Sequence, residues 1–192
     1  SFLITSGGSL LKYVRKDKVS VLRLPVHSKN PLLILMNTLI MIFYILINNI
    51  NIVHARSRAP AWSCYLACKL TGKFFVTTFH GTYSFENSLK KFYNSVMIKS
   101  KLIIAGSNFI FNHINENYQK LLNPKNKLLV IFRGINLEYF NVKSVSVRKR
   151  EKLQADWKLK DENFKILLPA RLTSWKGHEK FIEALNILVE DY

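Results

Sequence analysis

Cysteine is nearly absent from this 192-residue chain, which holds only Cys64 and Cys68. Four residues apart on a stretch of helical pattern, they are poorly placed for a disulfide, and no second ligand pair stands nearby to complete a metal site. They read as small core residues in a reducing compartment, which fits a cytoplasmic protein. A secretory leader is not expected: Ser1 to Thr5 lacks an initiating Met and already has the pattern of a strand running into Gly7-Gly8, and the chain is expected to have lost its start. Repeats and low-complexity tracts are absent, which excludes solenoids and disordered tails. Acidic residues are few, 12 against 29 Lys and Arg, for a net charge of +17. That balance favours anionic partners: nucleic acid, acidic phospholipid or phosphorylated small molecules. The basic residues are spread along the chain, and the densest cluster, Arg148, Lys149, Arg150 and Lys152, is short. Diffuse charge suits a membrane surface at least as well as a nucleic-acid groove. Finally, no charge occurs from Pro31 to Val53. The apolar run Leu32–Ile47 is short for a span, is broken by Asn37 and Thr38, and lies between two strands of one sheet. It reads as a buried helix, or one pressing its apolar face onto a membrane surface.

What is present is an alternation of short β-branched or aromatic runs with longer segments of helical period, the pattern of βα units on a parallel sheet. Strands are expected at Phe2–Thr5, Val19–Leu24, Ile50–Ala55, Phe74–Phe79, Leu102–Ala105, Leu128–Ile131 and Ile166–Pro169. Helices are expected near Leu10–Arg15, Leu32–Asn48, Ala61–Leu70, Asn87–Ile98 and Ser107–Leu121, the last capped by Ser107. The fold class is α/β, a Rossmann-like doubly wound parallel sheet, in which ligands sit off the carboxyl ends of strands. Residues 1–143 form the first domain. Residues 144–163, polar and without a strand signal, form a linker. Residues 164–192 open a second Rossmann-like domain with one βα unit whose helix starts near Gly177. One such unit cannot bury both its faces, so this domain is expected to be truncated or completed by another polypeptide.

Three loops that follow strands are rich in reactive side chains. In His54-Ala-Arg-Ser-Arg-Ala-Pro-Ala-Trp62, Arg56 and Arg58 flank Ser57 beside a helix N-terminus, a natural place for phosphate or carboxylate; a solvated turn is the alternative. In Val76-Thr-Thr-Phe-His-Gly-Thr-Tyr-Ser84, Gly81 permits close approach of a ligand, and His80 can donate to an anion or hydroxyl or relay a proton. In Arg171-Leu-Thr-Ser-Trp-Lys-Gly-His178, Arg171 and Lys176 can converge on one diphosphate, and Gly177 leaves room at the helix start. The glycine framework of a P-loop is missing.

Together with Ala105-Gly-Ser-Asn-Phe-Ile110 and Ile131-Phe-Arg-Gly-Ile-Asn136 followed by Phe140, these segments resemble the GT-B glycosyltransferases of family 4, across essentially the whole chain. The resemblance implies a retaining, metal-independent enzyme without cofactor, of the kind that builds lipopolysaccharide and other cell-surface glycans. Its first domain would grip the acceptor and its second a nucleotide-diphosphate sugar. It implies that Arg171, Lys176 and Gly177 hold the donor diphosphate and that His80 is catalytic, near the reacting sugar. Arg56, Ser57, Arg58, Gly81 and Thr82 would line the acceptor side of the cleft, with Arg133 and Gly134 at the hinge. The family's opening strand and Gly-rich loop would precede Ser1, and its acidic Glu-x7-Glu segment would follow Tyr192. The expected partners are a nucleotide-diphosphate sugar, a lipid-linked or saccharide acceptor, the anionic inner face of the cytoplasmic membrane, and a complementary polypeptide from an adjoining reading frame. The chain alone is expected to be inactive. The alternative is a non-catalytic basic protein, membrane-peripheral or nucleic-acid-binding. Nucleic acid is not an expected partner, since that requires a basic face interleaved with exposed aromatics.

Overall fold

Six short strands alternate with helices in the computed structural model, which describes residues 1–15, 17–83, 87–160 and 164–190. The chain divides into two units, Ser1–Gly134 and Ile135–Tyr192.

The first unit holds all six strands. β1 (Phe2–Thr5) pairs with β2 (Ser20–Arg23), and a four-stranded sheet runs β3 (Ile52–Ala55), β4 (Phe74–Phe79), β5 (Leu102–Ala105) and β6 (Lys127–Val130) in chain order. Every pairing is parallel, as alternating strands and helices dictate. The sequence reading of one sheet becomes two, and its strand positions hold to within two residues.

Three helices of this unit start where short polar side chains replace missing backbone partners. Asn30 accepts from the Leu32 amide at 2.9 Å and Pro31 occupies the first turn of α1 (Pro31–Ile47). α2 (Arg58–Thr71) stops at Gly72, whose φ of 69° suits a residue without Cβ. Asn87 caps α3 (Ser88–Ser95), and Ser107 caps α4 (Asn108–Tyr118) by accepting from the Ile110 amide. The expected helix at Leu10–Arg15 is instead a 3-10 turn at Ser9–Tyr13. Five residues offer too few backbone bonds to sustain an α-helix.

β4 is the spine of the core. Phe75 through Phe79 are all buried, because β4 has a strand on each side and cover on both faces. Its one interior hydroxyl pair is satisfied: Thr77 Oγ1 lies 2.6 Å from the Met97 carbonyl oxygen and 2.7 Å from Ser100 Oγ. Cys64 and Cys68 are buried, free and part of this core, with Cys64 Sγ 3.9 Å from Met41 Sδ. Burial pushes the Cys64 thiol up to about 12 and Cys68 to about 11.

α1 is turned inside out. Its buried residues are Asn37, Thr38, Met41 and Ile45, so the two polar residues that break the apolar run point into the protein. Asn37 Nδ2 donates to the Pro25 carbonyl at 3.3 Å, Thr38 Oγ1 to that of Ile34 at 2.8 Å, and Ser63 of α2 also donates to Ile34 at 3.1 Å. Small residues on α2, Ala61, Ser63 and Ala67, let the two helices meet closely. Leu32, Leu35, Leu39, Phe43, Leu46 and Ile47 are left at 54–76% exposure. Among the described residues no helix is long and apolar enough to cross a membrane.

The second unit contains α5 (Val147–Asp156), capped by Ser146, and α6 (His178–Glu190). α5 runs through the segment read as a linker and buries none of its residues. The strand expected at Ile166–Pro169 is not one: residues 164–170 take no regular structure, and the Ala170 amide bonds back to the Leu168 carbonyl at 3.0 Å. Parallel strands need neighbours for their amides and carbonyls, and among the described residues none is offered; Pro169 also lacks an amide hydrogen.

Candidate functional site

The strand registers bring chemistry to one edge. Ala55 pairs with Thr77, Phe79 with Ala105 and Ala105 with Val130, so β3 to β6 end at nearly the same level. The residues that follow, Arg56, His80, Gly106 and Ile131 to Arg133, emerge along the carboxyl end of the sheet, where ligands of such folds bind. Expectations drawn from His54–Trp62 and Val76–Ser84 thus meet in space; Ser84 itself lies outside the described residues.

His80 is the centre of this edge. Arg56 Nε lies 3.2 Å from its Nε2, and Arg133 Nη2 lies 3.0 Å from its Nδ1 and 3.2 Å from its carbonyl oxygen. Two residues before Arg56 and His80, on the two strands that lead to them, His54 Nε2 sits 2.7 Å from Thr78 Oγ1. Burial holds the His80 ring below the usual imidazole range, and the charges of Arg56 and Arg133, with His54, act in the same direction. His54 is lowered first by burial and then by Arg56. Both rings are therefore kept neutral near pH 7, suited to hydrogen bonding with hydroxyls and to proton acceptance.

Beside His80 opens a hollow of about 330 Å³, lined by His80, Gly106, Ser107, Phe109, Ile110 and Arg133. α4 points its first turn there, and Gly106 keeps the floor low: a Cβ would stand 3.5 Å from the Phe79 carbonyl oxygen and 3.8 Å from Arg133 Nε. Gly81 faces open space, with nothing within 4 Å of where its Cβ would be, so its small size serves no packing need of the protein itself. Thr82 is exposed beside it, and Ser57, at the start of α2, is exposed and makes no capping bond with its hydroxyl.

Arg58 does not join this group. Its Nη1 donates to Asn94 Oδ1 at 2.9 Å and its guanidinium lies over the Tyr83 ring at 4.4 Å, which ties the start of α2 to α3. Arg133, expected at the hinge, also reaches back to His80; Gly134 follows it, and the division between the units falls directly after Gly134. The hollow's α4 side was missed. The signal available was Gly106-Ser107 directly after β5, a glycine at a strand tip followed by a capping serine.

In the second unit, Arg171 is exposed on the loop leading to α6. Lys176 ends a 3-10 turn at Ser174–Lys176 with its ammonium 4.1 Å from the centre of the Trp175 ring. Gly177 has φ 75°, a left-handed conformation that a Cβ would strain, and it turns the chain into α6. Among the described residues, no three His, Cys, Asp or Glu side chains gather as a metal site.

The model of Glycosyltransferase Family 4 matches residues 2–139. Among solved structures, a glycosyltransferase from Rickettsia africae ESF-5 is 43% identical with a TM-score of 0.79, over 97% of this chain and 48% of that one. Anabaena Alr3699/HepE, in complex with UDP and glucose, superposes with a TM-score of 0.72 at 16% identity, over 96% of this chain and 49% of that one. The same protein with UDP-glucose also gives 0.72, at 17% identity. The chain thus spans about half the length of these structures. No curated protein matches it.

Proposed function

This chain belongs to glycosyltransferase family 4, and from that premise we propose that it serves a retaining, metal-independent enzyme that moves a sugar from a nucleotide-diphosphate donor to a lipid-linked or cell-envelope saccharide. The observation that carries the reading is the convergence of Arg56, His80, Gly81 and Arg133 at the carboxyl edge of β3 to β6, within the region the family model matches.

Transfer requires the sugar–phosphate bond to break while negative charge grows on the departing diphosphate. Arg171 and Lys176, a fork and a point charge on one loop, supply the compensation, and the bare backbone of Gly177 admits phosphate oxygens beside the first turn of α6. His80 bonds a hydroxyl of the reacting sugar, and Gly81 lets the ring approach the loop without a side chain in the way. Arg56, Ser57 and Thr82 face the acceptor. Since HepE is crystallised with UDP and glucose, a UDP-sugar is the first donor class to test.

The outward apolar face of α1 supports peripheral attachment to the cytoplasmic membrane face. Residues 1–134 carry eighteen Lys and Arg against three Asp and Glu, which complements an anionic leaflet. A lipid-linked acceptor would be met there.

The test is a sugar-transfer assay with a panel of UDP- and GDP-sugars, run on the chain with and without a polypeptide supplying the remainder of the matched structures. Turnover is expected only with that complement. No turnover with any donor in either arm would refute the enzymatic reading, and turnover by the chain alone would refute its dependence on a partner.

A further inference from the structure

Arg56, His80 and Arg133 come together with more donors than acceptors. A neutral imidazole has one N–H and one lone pair, whereas a guanidinium only donates. Both ring nitrogens nevertheless face guanidinium nitrogens, at 3.2 and 3.0 Å. Whichever ring nitrogen holds the proton, two donors oppose each other there. Among the described residues, no carboxylate forms an ion pair with either arginine. The adjacent hollow adds the first turn of α4, the small Gly106, and Ser107, whose oxygen already accepts from the Ile110 amide and whose O–H can be donated outward.

We infer that Arg56, His80 and Arg133 form a seat for a phosphoryl-type oxyanion, made of residues other than Arg171 and Lys176, and that a phosphorylated acceptor fills it. An anion between the two arginines accepts from both guanidinium groups and from the ring N–H, removing the opposition of donors. The eighteen-to-three excess of basic residues in residues 1–134 draws such a ligand toward this unit. That the anion belongs to an acceptor follows from the transferase reading above; that an anion binds does not depend on it.

The charged and titratable groups facing His80 are Arg56, Arg133 and His54, while the α4 side of the hollow contributes Gly106, Ser107, Phe109 and Ile110, none of which titrates. An arriving dianion offsets the arginines and lets the ring take a second proton. Binding therefore tightens as pH falls.

The experiment is NMR of the full chain with labelled histidine rings, titrated with sulfate, which keeps its charge between about pH 5 and 8, unlike phosphate. Sulfate is expected to shift the His80 signals and raise the pH at which they titrate. R56Q and R133Q are each expected to weaken this binding about tenfold, with partial recovery in R56K and R133K; both arginines are exposed, so the fold is retained. R171Q is expected to leave it unchanged. His80 signals indifferent to sulfate, or equal binding by R56Q and R133Q, would overturn the seat. A second arm asks what displaces sulfate. Displacement by a sugar 6-phosphate, unaffected by R171Q, identifies the acceptor as source; displacement by UDP alone, lost in R171Q, assigns the oxyanion to the donor and overturns the acceptor assignment.

Discussion

His80 owes its properties to neighbours that sequence order conceals. Arg56 is 24 residues away and Arg133 is 53. The loop before it was legible because a histidine and glycine at the tip of an apolar run imply a ligand-facing turn, and Arg56 was legible for the same reason at β3. Arg133 was not, since only the register of β5 with β6 shows that the residues after Val130 return to the level of His80. Three histidines, His54, His80 and His113, are held below the ordinary imidazole range, each first by burial. A base with a lowered folded-state pKa contributes its full share of stability above its unfolded value and loses that share as pH falls through the folded one. Urea midpoints are therefore expected to be flat above about pH 7 and to decline toward about pH 5, before carboxylates begin to titrate. H80N should reduce that decline; an unchanged profile would show that His80 is not perturbed in the folded state.

At the scale of elements, α1 shows what hydrophobic pattern can and cannot specify. The run Leu32–Ile47 fixed the helix, and Asn37 with Thr38 argued against a span. Which side faced inward was not readable, because a helix that is apolar almost all round has no preferred face until its partners are known. The bond from Asn37 to Pro25 and the bond from Ser63 to the Ile34 carbonyl of α1 decide it, with the polar pair inward and six large apolar side chains outward. Leu39 and Phe43, both 60% exposed, lie one turn apart on that outer face. The double variant L39S/F43S is expected to fold as the parent does while losing flotation with vesicles containing anionic phospholipid. Equal flotation by parent and variant would place the membrane contact elsewhere, and flotation abolished by salt in both would reduce it to diffuse charge. The strand expected at Ile166–Pro169 is the opposite case: its composition favours a strand, yet without a paired neighbour the pattern has no ladder to join.

For the whole molecule, the first unit was read nearly in full, because six strands alternating with helices, three of them with side-chain caps, leave little freedom to a parallel α/β fold. The net charge of +17 was read as diffuse. Lys and Arg are indeed spread over both units, but residues 135–192 hold nine of the twelve acidic residues, so the excess of positive charge is concentrated in residues 1–134, the unit that carries His80. The proposed function turns on Arg171 and Lys176, on the loop between residue 170 and α6, which we propose hold the departing diphosphate. The direct measurement is steady-state sugar transfer by the chain together with a polypeptide supplying the remainder of the matched structures, comparing the parent with R171A and K176A. Each variant is expected to lower kcat by about a hundredfold or more, with a smaller change in KM, as fits contacts that strengthen in the transition state. Parental kcat in both variants would contradict the assignment.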